Sequence, residues 1–241
     1  MIITDLGKIY SYRFGDKRGK SGNNTQITNC FIGHKAPVMD ISYCSSILCS
    51  GSRDGDVFLW DLQTCSLLKR FHVHQGSVNT LLPLDSNTFV SSGVDGCVNV
   101  FDIRGRTKIM KVLVSHSDTV GMASIGCMTI SPQGNDCNYI VTGGADDSVS
   151  VIDVRNTQNI LHRWTHHKQS VHSLNAVGTC CVFSGDGEGM MLCYDLRKAT
   201  EEGLLYGLSG SESGAVQCIL QIDKSILACG DSGKVLDYHF A

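Results

Sequence analysis

The stretch Ile47-Leu48-Cys49-Ser50-Gly51-Ser52-Arg53-Asp54-Gly55-Asp56-Val57-Phe58-Leu59-Trp60-Asp61 decides the fold. A short β-forming run ends in small polar residues, a Gly/Asp turn reverses the chain, and a second β-forming run closes on an aromatic residue and an aspartate. Asp-Gly is a favoured hairpin dipeptide, so residues 47–52 and 57–60 read as neighbouring strands. Outward from them, residues 38–43 alternate as a strand, and residues 67–71 supply a fourth. Gly33-His34 opens the unit.

The same grammar recurs. Tyr12, Trp60, Phe101, Ile152, Tyr194 and Tyr238 hold its closing position, spaced by 41 to 51 residues, and Asp61, Asp102, Asp153 and Asp195 follow four of them. A period in this range is the signature of a repeat architecture. Four short strands repeated in series form blades around a central axis, each burying its apolar faces against its neighbours.

With 241 residues and 42% hydrophobic content, the chain can bury a large core. A net charge of −3 creates no field that singles out nucleic acid or anionic membrane. No apolar run reaches the roughly 18 residues of a membrane helix, and the N-terminus has no signal-peptide pattern. Of twelve cysteines, Cys44, Cys49, Cys97, Cys127, Cys180, Cys181, Cys193, Cys218 and Cys229 lie in or beside β-rich runs, where free thiols act as small hydrophobes. There is no Cys-x-x-Cys pair of the zinc-ribbon kind. The expectation is a reducing compartment, cytoplasmic and/or nuclear, with no cofactor and no metal.

The repeat resembles the WD40 family over nearly the whole chain. That resemblance implies an all-β WD40 β-propeller with six recognisable blades in a single domain, at residues 1–31, 32–71, 72–113, 114–164, 165–206 and 207–241, the first and last incomplete. It also implies a hydrogen-bonded tetrad in each blade. Its members are a histidine, a serine or threonine ten residues before the tryptophan position, an aspartate six before it, and the tryptophan. The first full repeat gives His34, Ser50, Asp54 and Trp60. The next gives His74, Ser91 and Asp95, with Phe101 in the tryptophan slot; the third gives His116, Thr142 and Asp146, with Ile152. The fourth gives His167 and Ser184, with Glu188 for aspartate and Tyr194 for tryptophan. The last departs further, with Glu212, Ala228, Ser232 and Tyr238.

A recurring Ser, His and Asp invites a catalytic-triad reading, but a hydrolase needs one nucleophile beside one oxyanion hole, not a trio in each repeat. No Gly-x-Ser-x-Gly elbow, metal-ligand cluster or phosphate-cradling glycine loop accompanies it. The trio reads as buried polar groups satisfying one another, and the chain as no enzyme.

Residues 5–14 align with residues 231–240 without a gap, so the chain reads as starting with a second strand and ending after a third. Six strands of a seven-bladed ring would then precede Met1. The expectation is a fragment of a seven-bladed ring, with a six-bladed ring as the rival, and unpaired edges that favour aggregation or completion by another chain.

In this family the narrow top face carries the positions three and five after the tetrad histidine and the one before the turn aspartate. Here these are Pro37, Met39 and Arg53; Ser77, Asn79 and Val94; Ser170, His172 and Gly187; and Ala215, Gln217 and Asp231. In the His116 repeat Ala145 qualifies, and offset counting gives Thr119 and Gly121, although an insertion before Thr142 lengthens a top loop there. Met39, Arg53, Asn79, Val94, Ala145, His172 and Gln217 suit a protein segment, and the face lacks the dense basic and aromatic platforms of single-stranded nucleic-acid binders. Lys17-Arg18-Gly19-Lys20, near Arg13, reads as a solvated loop.

Asp102-Ile103-Arg104, Asp153-Val154-Arg155 and Asp195-Leu196-Arg197 repeat an Asp-x-Arg tripeptide that Asp61-Leu62-Gln63 breaks. In WD40 substrate receptors of cullin–RING ubiquitin ligases, an arginine at this offset helps engage the ligase adaptor; elsewhere it pairs with a nearby acid. The functional expectation is a non-enzymatic interaction scaffold in a multiprotein complex, binding protein partners through the top face. A ubiquitin-ligase adaptor is the sharper option, through Arg104, Arg155 and Arg197. The alternative is an RNA- or ribosome-assembly-associated WD40 protein. No membrane and no homo-oligomer are expected.

Overall fold

The structure, a computed structural model, describes residues 2–3, 7–13, 26–104, 109–113, 116, 124–131, 139–155, 160–178, 180–198, 202–211 and 214–239. They form six sheets in series, each made of consecutive strands paired in chain order. Sheet one holds β1 (Ile2–Ile3), β2 (Lys8–Arg13) and β3 (Gln26–Ile32); sheet two holds β4 (Val38–Cys44), β5 (Ile47–Ser52), β6 (Asp56–Asp61) and β7 (Leu67–His72). Sheet three holds β8 (Val78–Pro83), β9 (Thr88–Gly93), β10 (Cys97–Asp102) and β11 (Ile109–Leu113). Sheet four holds β12 (Ile125–Ile130), β13 (Tyr139–Gly144), β14 (Val149–Asp153) and β15 (Ile160–Trp164). Sheet five holds β16 (Val171–Val177), β17 (Cys181–Asp186), β18 (Met190–Asp195) and β19 (Leu204–Ser209); sheet six holds β20 (Val216–Ile222), β21 (Ser225–Gly230) and β22 (Val235–His239). These all-β sheets are consistent with the blades of a WD40 propeller, and among the described residues the first and last hold three strands each.

Sequence patterning explains which strands sit where. The second and third strands of a blade are covered on both faces, so β5, β6, β9 and β10 are almost continuously buried and read as short apolar runs. The fourth strands β7 and β19 are largely exposed, and only Phe71 of β7 is buried. Gly55 closes the β5–β6 turn at φ 83°, a left-handed conformation that costs glycine nothing. A Cβ there would also lie 2.2 Å from the His74 carbonyl oxygen, so the turn is glycine on two counts.

The chain divides into two compact units, residues 1–91 with 101–109, and residues 92–100 with 110–241. In the first, Ile9 and Phe31 of sheet one pack with Val38, Leu48, Phe58 and Trp60 of sheet two. Cys49, Val57, Leu59 and Phe71 then pack with Val78, Leu81, Phe89 and Phe101. In the second unit, Val141, Val149, Val151 and Trp164 of sheet four join Val171, Val182, Leu192, Tyr194 and Leu196 of sheet five. Phe183, Met191 and Cys193 join Val216, Ile219, Ile226 and Ala228 of sheet six.

A glycine socket recurs at these junctions. A Cβ on Gly51 would lie 2.6 Å from Val78 Cγ1, one on Gly143 2.6 Å from Val171 Cγ1, and one on Gly185 2.6 Å from Val216 Cβ. The first residue of each following inner strand therefore sits directly on bare backbone. In sheet six the equivalent register position is Cys229, paired with Cys218. Among the described residues no helix is long and apolar enough to cross a membrane.

Candidate protein-interaction site

The buried polar sets organise the blades, and they differ from one another. In sheet two, Trp60 Nε1–H donates to Ser50 Oγ at 2.8 Å, and Ser50 Oγ lies 2.7 Å from His34 Nε2. Asp54 does not complete the tetrad: its Oδ1 accepts the Asp56 amide across the turn, and His34 Nδ1 has no hydrogen-bond partner among the described residues. Phe58 stacks on the His34 ring instead, at 3.9 Å and 19°. The neighbouring Asp56 carboxylate is buried and pairs instead with Arg70 at 2.6 Å and His72 Nδ1 at 3.0 Å.

In sheet three, His74 Nε2 lies 2.9 Å from Ser91 Oγ, Asp95 accepts the Cys97 amide, and Phe101 is buried. Sheet four has the fullest network. His116 Nδ1–H points at Asp146 Oδ1 (2.9 Å), which leaves Nε2 to accept from Thr142 Oγ1 at 2.8 Å. Ser148 Oγ–H donates to Asp146 at 2.8 Å, and Arg163 caps its other oxygen. Burial works against the Asp146 charge, but these hydrogen bonds and the Arg163 cation hold its pKa at about 2. Ile152 fills the tryptophan slot, fully buried.

Sheet five corrects the carboxylate read from spacing. His167 Nε2 meets Ser184 Oγ at 2.6 Å as expected, but His167 Nδ1 meets Asp186 Oδ2 at 2.9 Å, and Glu188 is exposed. Asp186 ends β17 pointing inward, where its Oδ1 also accepts the amides of Glu188 and Met190. Its signal in the sequence was the register itself: two residues before the counted offset, it still faces the histidine.

The positions assigned to a binding face share one backbone device. Between Val38 and Asp40, Ile125 and Cys127, Val171 and Ser173, and Val216 and Cys218, each inner strand carries a bulge against its neighbour. The extra residues are Met39, Gly126, His172 and Gln217, all exposed beside buried Val38, Ile125, Val171 and Val216. A bulge ejects one side chain from the ladder and re-aims it. Beside it, the Arg53 amide donates to the Pro37 carbonyl, Ala145 to Ser124, Gly187 to Ser170 and Asp231 to Ala215, at 2.9 to 3.2 Å. These bonds correct the offset count in sheet four: Ser124 and Gly126 occupy the places given to Thr119 and Gly121, which lie outside the described residues, as do Glu212 and residues 17–20. In the first unit Met39 and Arg53 are exposed and Asn79 is half-buried. In the second, Val94, His172 and Gln217 are exposed and Ala145 is half-buried; Gln217 Nε2 donates to Asp231 at 3.2 Å.

The Asp-x-Arg tripeptides are tight local turns. The amides of Arg104, Arg155 and Arg197 donate to the aspartate two residues earlier, at 2.8, 2.8 and 3.0 Å. Arg104 and Arg197 also fork their guanidinium groups onto that carboxylate, and Arg155 reaches it at 3.8 Å. All three guanidinium groups stay well exposed. At the break in the series, Asp61 makes the same turn by accepting the amides of Gln63 and Thr64. The cysteines described are free thiols, and burial pushes Cys127 and Cys193 up to about 12.

The family model for the WD domain, G-beta repeat, matches residues 25–61 and 65–102. This is a WD40-repeat chain. WD40 repeats are in general a non-enzymatic scaffold for protein interaction. The WD40 chain is 25% identical over 163 residues to the WD and tetratricopeptide repeats protein 1 of Mus musculus, covering 65% of this chain and 23% of that protein. It is 32% identical over 144 residues to Autophagy-related protein 16 of Arabidopsis thaliana, covering 58% of this chain and 25% of that protein. An F-box/WD-40 repeat-containing protein of Arabidopsis thaliana is 23% identical over 171 residues, covering 69% of this chain and 30% of that protein. The chain thus spans well under half the length of these relatives.

Proposed function

We propose that this WD40 chain is a non-enzymatic scaffold that engages protein partners through the side chains its inner-strand bulges eject. Met39 and Arg53 with Asn79 form one presenting set, and His172 and Gln217 with Val94 and Ala145 a second, each within its own unit. The observation that supports this reading is the repeated bulge itself: four inner strands break their ladder at one place, and three of the ejected side chains are sizeable and exposed. Few anchor residues carry most of the energy in such interfaces. The test is affinity capture from native cells with Met39→Glu, His172→Glu and Gln217→Glu variants. Loss of the same retained protein in folded variants supports the reading, and retention by all three overturns it.

A finer reading is a ubiquitin-ligase adaptor contact through Arg104, Arg155 and Arg197. What supports it is that these arginines keep exposed guanidinium groups after pairing, together with the F-box named in one relative. Replacing Arg155 and Arg197 with alanine should abolish capture of a ligase adaptor without unfolding; persistent capture excludes it. The RNA- or ribosome-assembly reading would show instead as retention that weakens steeply with salt.

A further inference from the structure

The residue that follows each inner-strand bulge faces one residue of the neighbouring strand, and in three sheets that partner is a glycine. Asp40 faces Gly51, Cys127 faces Gly143, and Ser173 faces Gly185. The first member of each pair holds the next inner strand or its neighbour. Asp40 Oδ2 accepts the Leu81 amide at 2.7 Å, Cys127 Sγ–H points at the Val171 carbonyl at 3.5 Å, and Ser173 Oγ donates to the Val216 carbonyl at 2.9 Å. The glycine opposite leaves room for Val78, Val171 and Val216.

Sheet six changes both members at once. Cys218 faces Cys229 across β20 and β21, one place beyond the bulge at Gln217. Residues directly opposite on an antiparallel pair send their side chains to the same face. Their Cα atoms lie about 4.5–5.5 Å apart, inside the roughly 4.4–6.8 Å that a disulfide bridges. The two thiols are free and touch: burial raises the Cys218 pKa above the ordinary 9.0, and the Cys229 thiol that it hydrogen-bonds adds to the rise. Among the described register pairs no other two cysteines face each other. Cys49 faces Ser42 and Leu59, Cys181 faces Val177 and Asp195, and Cys193 faces Phe183 and Tyr206.

We propose that Cys218 and Cys229 are a reversible disulfide site whose co-substrate is a low-molecular-weight disulfide of the glutathione type. The Cys218 thiolate attacks one sulfur of glutathione disulfide, bonds to it and expels the other glutathione as a thiolate. The Cys229 thiolate then attacks the Cys218 sulfur, forms the cross-strand bond and expels the second glutathione. One protein disulfide and two glutathione thiols result; two electrons pass from the protein sulfurs to glutathione, and the two thiol protons follow. Exchange is faster at higher pH, because the raised Cys218 pKa leaves little thiolate near neutrality. The bond closes residues 218–229 into a loop and ties β20 to β21, which raises the stability of the oxidised hairpin. None of this depends on the scaffold reading.

Trypsin separates the two cysteines at Lys224, and with cuts at Lys198 and Lys234 it gives two peptides of one cysteine each. The full 241-residue chain is equilibrated, folded, with glutathione at stepped ratios of disulfide to thiol, then acid-quenched, alkylated, digested and mapped by mass spectrometry. Peptides 199–224 and 225–234 should appear joined as the ratio rises and part again in excess thiol. Cys218→Ser places at this position the residue that sheet five uses, Ser173, and should abolish the joined pair completely. Cys127→Ser, which changes the cysteine facing Gly143, should leave it unaltered. The proposal is overturned if both cysteines stay reduced, if Cys218 stays capped by glutathione or joins a different cysteine, or if the joined pair forms only in urea.

Discussion

Trp164 lies flat on Tyr194, with ring centroids 4.4 Å apart and planes 9° apart. The contact joins the last strand of sheet four to the tryptophan slot of sheet five. Phe31 and Trp60 (5.8 Å) make the same connection, as do Phe71 and Phe101 (5.7 Å). Phe31, Phe71 and Trp164 each stand three residues before a repeat histidine. The slot is thus a clamp between blades as well as a hydrogen-bond donor, which explains how phenylalanine and tyrosine can occupy it. Trp164→Ala should cost about 3–5 kcal/mol in urea unfolding, as for other buried aromatics. A cost near zero would mean the stack carries no packing energy.

Asp186 and Glu188 are separable by mutation. Asp186→Asn removes a buried charge-assisted bond to His167 and weakens the turn, and should destabilise by about 2–3 kcal/mol. Glu188→Gln changes an exposed side chain and should fall within about 0.5 kcal/mol of wild type. Equal effects in equilibrium unfolding would contradict the assignment.

Stability should fall in mild acid. Burial lowers the pKa of His34 and His167 below the ordinary 6.5, and Asp186 only partly offsets this for His167. In the unfolded chain both return to the ordinary value, so below it the unfolded state binds more protons and stability falls as pH drops through 6.5 toward the folded values. Asp146 acts in a lower window. Its contribution is full above the ordinary 3.8 and is lost as pH falls to its folded value of about 2. Urea midpoints between pH 8 and pH 5 should decline for wild type and decline less for His34→Gln; a flat wild-type profile would contradict the burial argument.

The glycine socket predicts coupling. Gly51→Ala places a methyl against Val78 and should cost about 1–3 kcal/mol. Val78→Ala removes the offending Cγ1, so the double variant should be less destabilised than the sum of the two singles by at least about 0.5 kcal/mol. Strict additivity would mean the junction relaxes freely.

Arg197→Ala should cost no more than about 1 kcal/mol, because its partner carboxylate is local and the guanidinium is solvated. A larger loss in thermal unfolding would make Arg197 structural and weaken its use as an adaptor contact.

The fold was legible because its signals are local: the Asp54-Gly55 turn, the apolar runs around it and their recurrence needed no long-range information. Ser50, Thr142 and Ser184 were found by offset because a strand fixes which way each side chain points. Offsets failed where the chain changes length or register. The insertion after His116 displaced Thr119 by five positions to Ser124, and the acid in sheet five moved from Glu188 to Asp186. Asp54 was misread for another reason: a turn carboxylate can cap its own backbone as readily as it can reach a histidine. The bulges were invisible because a single extra residue in a strand leaves no mark of its own in composition.

The chain's two tryptophans fall one to each compact unit, Trp60 in the first and Trp164 in the second, both shielded from solvent. Each unit therefore carries its own intrinsic fluorophore. Trp60→Phe and Trp164→Phe would leave a single emitter apiece, turning the protein into a pair of one-colour sensors. Their emission shifts would superimpose along a denaturant titration if the units melt together, and separate if one lets go before the other.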